Sequence, residues 1–554
     1  MSQNNLQNNL QKDNNSQAKQ DSNSQVKQVA KSTAMMSGIT LLSRITGFIR
    51  TWAMAFALGH TVLSAAFSLA NNLPNMIYEL VAGGVLSAAF LPIYLQIRNQ
   101  KGDKHAQLYA SNLLSLTVVF LGVVALIASF FAPQVMLTQS MFSSASDATV
   151  QQATWFFRFF SFEIIFYGMS AVFGGLLNAH RQYFWPAVSS IFMNIVAIAS
   201  FFAYPFLCNN SETLANVVLA VGTLLSILIM AAVQLPALIK AGFKFRFYIN
   251  LKGEGIRSTF HLALPAILCT AINLVSMSFM NSCALHVADT GPASISYAWL
   301  WYQLPYGVLS VALSTALFTE MSECSARKDW GEFKKQLNFG LRTTCLLIIP
   351  MAAMLFVCAP QLIGLYSAGK FSTESIIPIA QLLRGWAFTL PLYAAYMFLY
   401  RAFSAIKDLK TVALCNFILT FGQVAIYLLC TGVINENMSF GLVGIPIADT
   451  CFYACMLVVL LIVLYKRLGS LQIKALLIHV FKIVVASFIG AAIAFLLASF
   501  LQSVFTFEGL FGSLVLLIII GIVELVLIIV LCRLFKVKEI SSLGTRLKSK
   551  LLRK

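Results

Sequence analysis

LLSRITGFIRTWAMAFALG, residues 41–59, reads as a membrane-spanning helix that carries two arginines, Arg44 and Arg50. An arginine near a bilayer centre costs about 2.5–3.5 kcal/mol on insertion scales, so two in one short apolar helix point to a protein interior or a water-filled cavity. At about 1.5 Å rise per residue they lie about 9 Å apart along the axis. Their six-residue spacing sets them roughly 120° apart around it. One extended anionic ligand can touch both. The alternative is that they snorkel to the headgroups, but Arg44 stands about ten residues beyond the predicted helix start, which is deep for that.

The rest of the chain has the same character. Of 554 residues, 59% are hydrophobic and 10% are charged. A soluble fold of this size cannot make its surface polar with that composition. Apolar runs of about 20 residues recur throughout, each long enough to cross about 30 Å of hydrocarbon. Unbroken runs exclude the alternating pattern of a β-barrel. The sequence therefore predicts an all-α polytopic membrane protein. Fourteen spans are expected, at 34–58, 62–97, 108–131, 153–177, 185–206, 214–239, 257–285, 292–321, 337–358, 378–400, 411–432, 441–466, 475–500 and 510–534. The second is too long for a straight crossing, and Gly83-Gly84 is expected to bend it. Residues 1–33 are expected to be a disordered cytoplasmic tail, rich in Asn, Gln, Ser and Lys. Residues 535–554 form a basic tail.

The net charge of +18 reflects membrane orientation, not nucleic-acid binding. With the N-terminus inside, 33 of the 38 lysines and arginines fall on the inner side, Lys370 alone falls outside, and four lie within spans. An error of one span destroys this asymmetry, so both termini are expected to be cytoplasmic.

The four intramembrane cations are Arg44, Arg50, Arg158 and Arg384, and the last two expose a repeat. Arg158 and Arg384 are 226 residues apart; at the same offset Phe162 matches Phe388, Tyr167 matches Tyr393 and Ala179 matches Ala405. VLSAAFLP (85–92) resembles ALSTALFT (312–319) at an offset of 227. Two parallel six-helix lobes are expected, 34–240 and 257–466, with two extra helices left over at 475–534. Transporters use such halves to rock about a central site. If a cleft lies between them, the four arginines are candidate substrate-binding residues for a phosphate or diphosphate, which guanidinium binds through a bidentate fork. Arg158 and Arg384, nearer the outer surface, have snorkelling as their alternative. Glu79, Glu163, Asp449 and Glu524 are the principal intramembrane acids, and none is assigned a role in coupling to an ion. Glu163, five residues after Arg158, does not share a helix face with it. Catalytic and metal-ligating clusters are absent, as is a Gly-rich phosphate loop, so no enzyme, metal or cofactor is predicted.

SRITGFIR (43–50), LPN (73–75), GGVLSAAFLPIY (83–94) and YAWLWYQLPYGVLSVALSTALF (297–318) resemble the MurJ/MviN family of bacterial lipid II flippases, over 34–535. The resemblance implies fourteen helices, with the last two forming a groove for an undecaprenyl tail. It also implies a plasma-membrane location and a role in peptidoglycan synthesis. The substrate it implies is lipid II, an undecaprenyl-diphosphate-linked glycopeptide, moved from the inner to the outer leaflet by alternating access. Membrane lipids and a coupling ion are the other expected partners. Arg44 and Arg50 correspond to the family's cavity arginines. The chain departs from the family at Tyr78 and Leu300, where other members carry arginines, and at Ala65, where they carry an aspartate. The other readings are a flippase for a different undecaprenyl-linked glycan, a drug exporter, or a non-transporting scaffold for cell-wall enzymes.

Overall fold

The computed structural model describes residues 38–79, 90–143, 147–253, 255–505, 509–535 and 537. The protein is helical, with no strand among the described residues. α1 spans 38–58 and α2 Val62–Glu79. The expected Gly83-Gly84 bend lies outside the described residues, as do both tails up to 37 and beyond 537. After that gap come α3 (Leu91–Lys101), α4 (Asp103–Phe130) and the short α5 (Ala132–Leu137). α6 (Ala148–Phe160) and α7 (Glu163–Ala179) were expected as one span; they are two helices bent by 44° at Ser161-Phe162. α8 (Phe184–Cys208), α9 (Glu212–Ala232) and the short α10 (Leu235–Lys240) complete the first half.

The second half runs through α11 (Ile256–Val287), α12 (Gly291–Pro305) and α13 (Val311–Ala326). A five-residue π turn, Tyr306–Ser310, separates α12 from α13. There the expected span 292–321 is broken, since Pro305 lacks an N–H and π turns interrupt the regular ladder. α14 (Trp330–Val357), α15 (Ala359–Gly364), α16 (Ile376–Ala405), α17 (Leu409–Cys430) and α18 (Gly444–Leu468) follow, then α19 (Ile473–Val504) and α20 (Gly509–Leu534). Eight described helices are long and apolar enough to cross a membrane, or ten if each bent pair is one crossing. The expected fourteen are not established among the described residues.

The 226-residue offset recurs in the backbone. Gly102 and Lys328 both take positive φ before the 28-residue helices α4 and α14, at +87° and +59°. Arg181 and Lys407, at +59° and +60°, do the same before α8 and α17. Ala-Pro-Gln opens both α5 and α15, placing proline in the first turn, where its missing N–H costs nothing. Side-chain caps start α9, where Ser211 accepts from the Leu214 N–H at 3.3 Å, and α14, where Asp329 accepts from Glu332 at 3.0 Å.

Three large apolar clusters explain the shape. The largest joins the two halves at one end: it runs from Ala53–Ala70 and Phe156–Phe160 to Ile295–Tyr302 and Val357–Phe371. At the other end there are two separate clusters. One unites Phe90–Ile97, Tyr109–Leu114, Val172–Leu177 and Leu238. The other unites Leu317, Phe333–Leu341, Tyr396–Phe403 and Met456–Leu464. The halves therefore share a core at the end holding the 59–61 and 358–375 segments. Toward the end holding 98–103 and 327–329 each has a core of its own.

Candidate functional site

α1 is fixed at both ends, by different partners. Near its start, the Ser43 and Ser190 hydroxyls are 2.9 Å apart and the Asn194 amide donates to Thr46 Oγ1 at 3.0 Å, tying α1 to α8. At its far end α1 meets the second half of the chain. Trp52 Nε1 donates to the Leu365 carbonyl at 3.0 Å, the Lys370 N–H to the Phe56 carbonyl at 3.0 Å and the Tyr297 hydroxyl to the Gly59 carbonyl at 2.6 Å. His60 bridges Ser294 and Ser375 at 2.8 and 3.1 Å. Gly59 and Gly369 permit this approach: both have positive φ, and a Cβ on either would lie within 2.4 Å of a carbonyl oxygen opposite.

Between these ends a cavity of about 620 Å³ opens beside α1, lined among others by Ser43, Arg44, Tyr78, Asn178, Ser190 and Gln234. Its lining mixes polar and apolar groups, and Arg44 supplies its positive charge. The Arg44 side chain is exposed, and its guanidinium packs over Gly307 in the π turn, where a Cβ would stand 3.5 Å from Cζ. One residue thus faces a cavity in the first half and touches the second. Tyr78 stacks on Tyr167 with ring centroids 4.6 Å apart, and the Tyr167 hydroxyl donates to Asn75 Oδ1 at 2.6 Å. The Gln234 amide donates to Ser170 Oγ at 2.7 Å, so the cavity wall is itself hydrogen-bonded.

Arg50 lies farther along α1 and is partly buried, within electrostatic range of Glu163 and Tyr167 but with no hydrogen bond to the Glu163 carboxylate. Arg158 and Arg384 are elsewhere. Arg158 is exposed on α6, and its carbonyl accepts from Ser129 Oγ at 3.0 Å. Arg384, half-buried on α16, donates from Nε to the Phe356 carbonyl at 3.2 Å and lies 5.6 Å from the Phe356 ring centroid. Neither lines the Arg44 cavity. Expecting all four arginines to share one cleft assumed side-chain directions that helical spacing does not supply.

Two polar centres were not linked by sequence reasoning. Glu163 was noted as an intramembrane acid, but its neighbour Arg50 is 113 positions earlier, beyond any periodicity argument. Asp449 on α18 is also buried, and it is fully satisfied. Trp386 Nε1 donates to Oδ2 at 2.8 Å, Gln423 Nε2 to Oδ1 at 2.9 Å, and the Tyr427 hydroxyl donates to Oδ1 as well. Gln423 is held in turn by Ser276, at 2.8 Å. These donors come from three helices, α11, α16 and α17, and are all neutral.

The family model described as lipid II flippase MurJ matches residues 54–535. Among curated relatives, the chain is 27% identical over 387 residues to the probable lipid II flippase MurJ of Buchnera aphidicola subsp. Acyrthosiphon pisum, covering 69% of this chain and 74% of that protein. It is 27% identical over 382 residues to the lipid II flippase MurJ of Burkholderia cenocepacia, covering 68% and 73%. Among solved structures, a lipid II flippase MurJ in an inward closed conformation superposes with a TM-score of 0.73 at 22% identity, over 90% of this chain and 99% of that one. An inward-facing multidrug resistance MATE transporter of the MOP superfamily gives 0.64 at 16% identity, over 79% and 99%. At these identities the structural likenesses speak for the fold alone.

Proposed function

The chain belongs to the lipid II flippase MurJ family, and on that premise we propose that the Arg44 cavity receives the diphosphate-bearing headgroup of its substrate. The protein is a transporter, not an enzyme, and translocates lipid II across the membrane. Lipid II and membrane lipids are its partners. Guanidinium binds phosphate oxygens through two parallel hydrogen bonds, which makes a cavity with an arginine in it suited to a diphosphate. The observation that carries the reading is Arg44 itself, exposed to the cavity and resting on Gly307 of the other half.

Further steps belong to the same proposal. Both termini are cytoplasmic, as the distribution of lysine and arginine supports. The separate cores then open toward the cytoplasm, the contacts of Trp52, His60 and Lys370 close the outer side, and transport runs from the inner to the outer leaflet. Residues 34–240 and 257–466 act as two lobes that alternate about the cavity. Arg50 is the next cation the headgroup meets. Arg158 and Arg384, at matching positions of the repeat, are outer-side cations it meets on exit. An ion gradient is the proposed driving force, since the sequence carries no nucleotide-binding loop; collapsing the gradient in a transport assay is expected to stop transport.

The deciding experiment is complementation of flippase-depleted bacteria, with membrane abundance quantified. Arg44→Ala is expected to abolish growth support at near-normal abundance, because removing a membrane charge does not penalise insertion. Arg44→Lys keeps the charge and loses the fork, so partial or no rescue is expected. Full rescue by Arg44→Ala would rule out the substrate role and favour a scaffold.

A further inference from the structure

The segment that joins the two halves of the chain reads FKFRFYINLK, residues 243–252, with apolar side chains at every odd position and polar or basic ones at every even position. A period of two marks an extended chain with two unlike faces. The structure holds this segment as a strap along α4, outside any helix. The N–H groups of Arg246, Tyr248 and Asn250 donate to Ser111 Oγ, Ser115 Oγ and Asn112 Oδ1 at 3.3, 3.2 and 2.8 Å. Asn112 Nδ2 donates back to the Asn250 carbonyl at 2.8 Å. Before the strap, the Gln107 amide donates to the Gly242 carbonyl at 3.2 Å; beyond it, the Tyr109 and Thr259 hydroxyls are 2.6 Å apart. The start of α11 is drawn into the same packing, with Ile256 buried among Ile93, Ile97 and Tyr109. The whole strap is therefore fastened to the first half.

Its outer surface carries two chemistries. Phe245, Phe247, Ile249 and Leu251 are between 45% and 71% exposed, and Lys244, Arg246 and Lys252 are exposed beside them. Water disfavours a contiguous patch of large apolar side chains. Hydrocarbon disfavours backbone that is not in a helix or barrel. The headgroup boundary satisfies both, since aromatic rings settle there and long basic side chains reach the phosphates. The level fits: Asn112 and Ser115 stand just inside the expected span 108–131. Residues 243–253 hold three cations and no acid. A zwitterionic headgroup has no net charge to offer them, whereas an anionic one does. We propose that the 243–252 strap is a docking site for anionic phospholipids, with its three cations on the headgroup phosphates and its apolar face among the upper acyl carbons. By the orientation proposed above this is the cytoplasmic leaflet, but the docking depends neither on that orientation nor on the Arg44 site. Because the strap is fastened to α4, the docked lipid anchors the first half and the link that leaves it.

The test uses the purified full chain, with Phe247 replaced by photo-crosslinking benzoylphenylalanine. It is reconstituted in phosphatidylcholine vesicles that carry a trace of tritiated phosphatidylglycerol or, in parallel, of tritiated phosphatidylcholine. At equal mole fraction the phosphatidylglycerol is expected to label position 247 more heavily. Arg246→Gln is expected to lower that preference about fivefold, the worth of one cation near a charged surface. Lys244→Gln, Arg246→Gln and Lys252→Gln together are expected to abolish the preference while phosphatidylcholine labelling persists, because the apolar face remains. Salt at about 1 M is expected to weaken the preference of the otherwise native chain, so the proposal is tested even if the substituted chains fail to insert. Equal labelling by the two lipids would overturn it, as would a preference that survives the triple substitution or about 1 M salt. The same crosslinker at Phe488, 73% exposed on α19, is the control for lipid contact. Labelling there but by neither lipid at position 247 would place the strap in water and end the proposal.

Discussion

Gly307 is where side-chain size decides whether Arg44 can lie across the two halves. A Cβ there would stand 3.5 Å from the guanidinium, ordinary van der Waals contact, so Gly307→Ala is compatible with the observed packing. A branched side chain occupies the space the guanidinium needs. Gly307→Leu is expected to lower lipid II transport in proteoliposomes by at least about tenfold at normal abundance, because a hydrogen bond to a charged group contributes about 1.5–3 kcal/mol. A native rate in that variant would mean that Arg44 acts from another position. The buried acids differ in the same local way. Asp449 is held by Trp386, Gln423 and Tyr427, whereas Glu163 and Glu524 have no hydrogen bond to either carboxylate oxygen.

α19 and α20 are the elements outside the repeat. They pack as a pair, and the pair packs on α14 and α15 through small residues. A Cβ on Gly490 would lie 2.7 Å from Ile528, one on Gly521 2.7 Å from Met354, and one on Gly364 2.3 Å from Ser513. Close approach through glycine is how helices associate where lipid removes the hydrophobic drive. The outward faces are strongly apolar: Phe488 and Phe511 are 73% and 78% exposed. These helices are the proposed track for the undecaprenyl tail, which is too long for a cavity of about 620 Å³. Truncation near residue 470 is expected to leave an inserted core that no longer supports growth of flippase-depleted cells. Normal growth with the truncated chain would end the groove idea.

Across the whole molecule, one end is a joint core and the other is two separate cores, with the Arg44 cavity between helices. Trp52, His60, Tyr297 and Lys370 make the far-end contacts mostly through backbone carbonyls and single side-chain bonds, which are individually modest and can break together. That end is the proposed outer gate. His60 and Ser375 are 3.1 Å apart across it, and both are partly exposed. With cysteines at both positions, a membrane-impermeant, cleavable bis-thiol reagent added to intact cells is expected to link them. Lipid II transport should stop and recover on cleavage. Linkage only after permeabilisation would reverse the orientation, and continued transport after linkage would show that this end does not move.

The sequence by itself determined the membrane class, because apolar runs and the side on which lysine and arginine accumulate are local properties that a bilayer reads segment by segment. It also contained the 226-residue repeat, which reappears in the left-handed residues Gly102, Lys328, Arg181 and Lys407. And it singled out Arg44 and Arg50, since a cation in an apolar helix is costly wherever the helix packs. Which way the other arginines point was not legible. Arg158 is exposed and Arg384 folds against Phe356, because rotation of a helix about its axis is set by its neighbours rather than by its own composition. The π turn that seats Arg44, the approach of Arg50 to Glu163, and the donors around Asp449 all join segments far apart in the chain. Helical periodicity reaches only a few turns, so only tertiary packing decided those contacts.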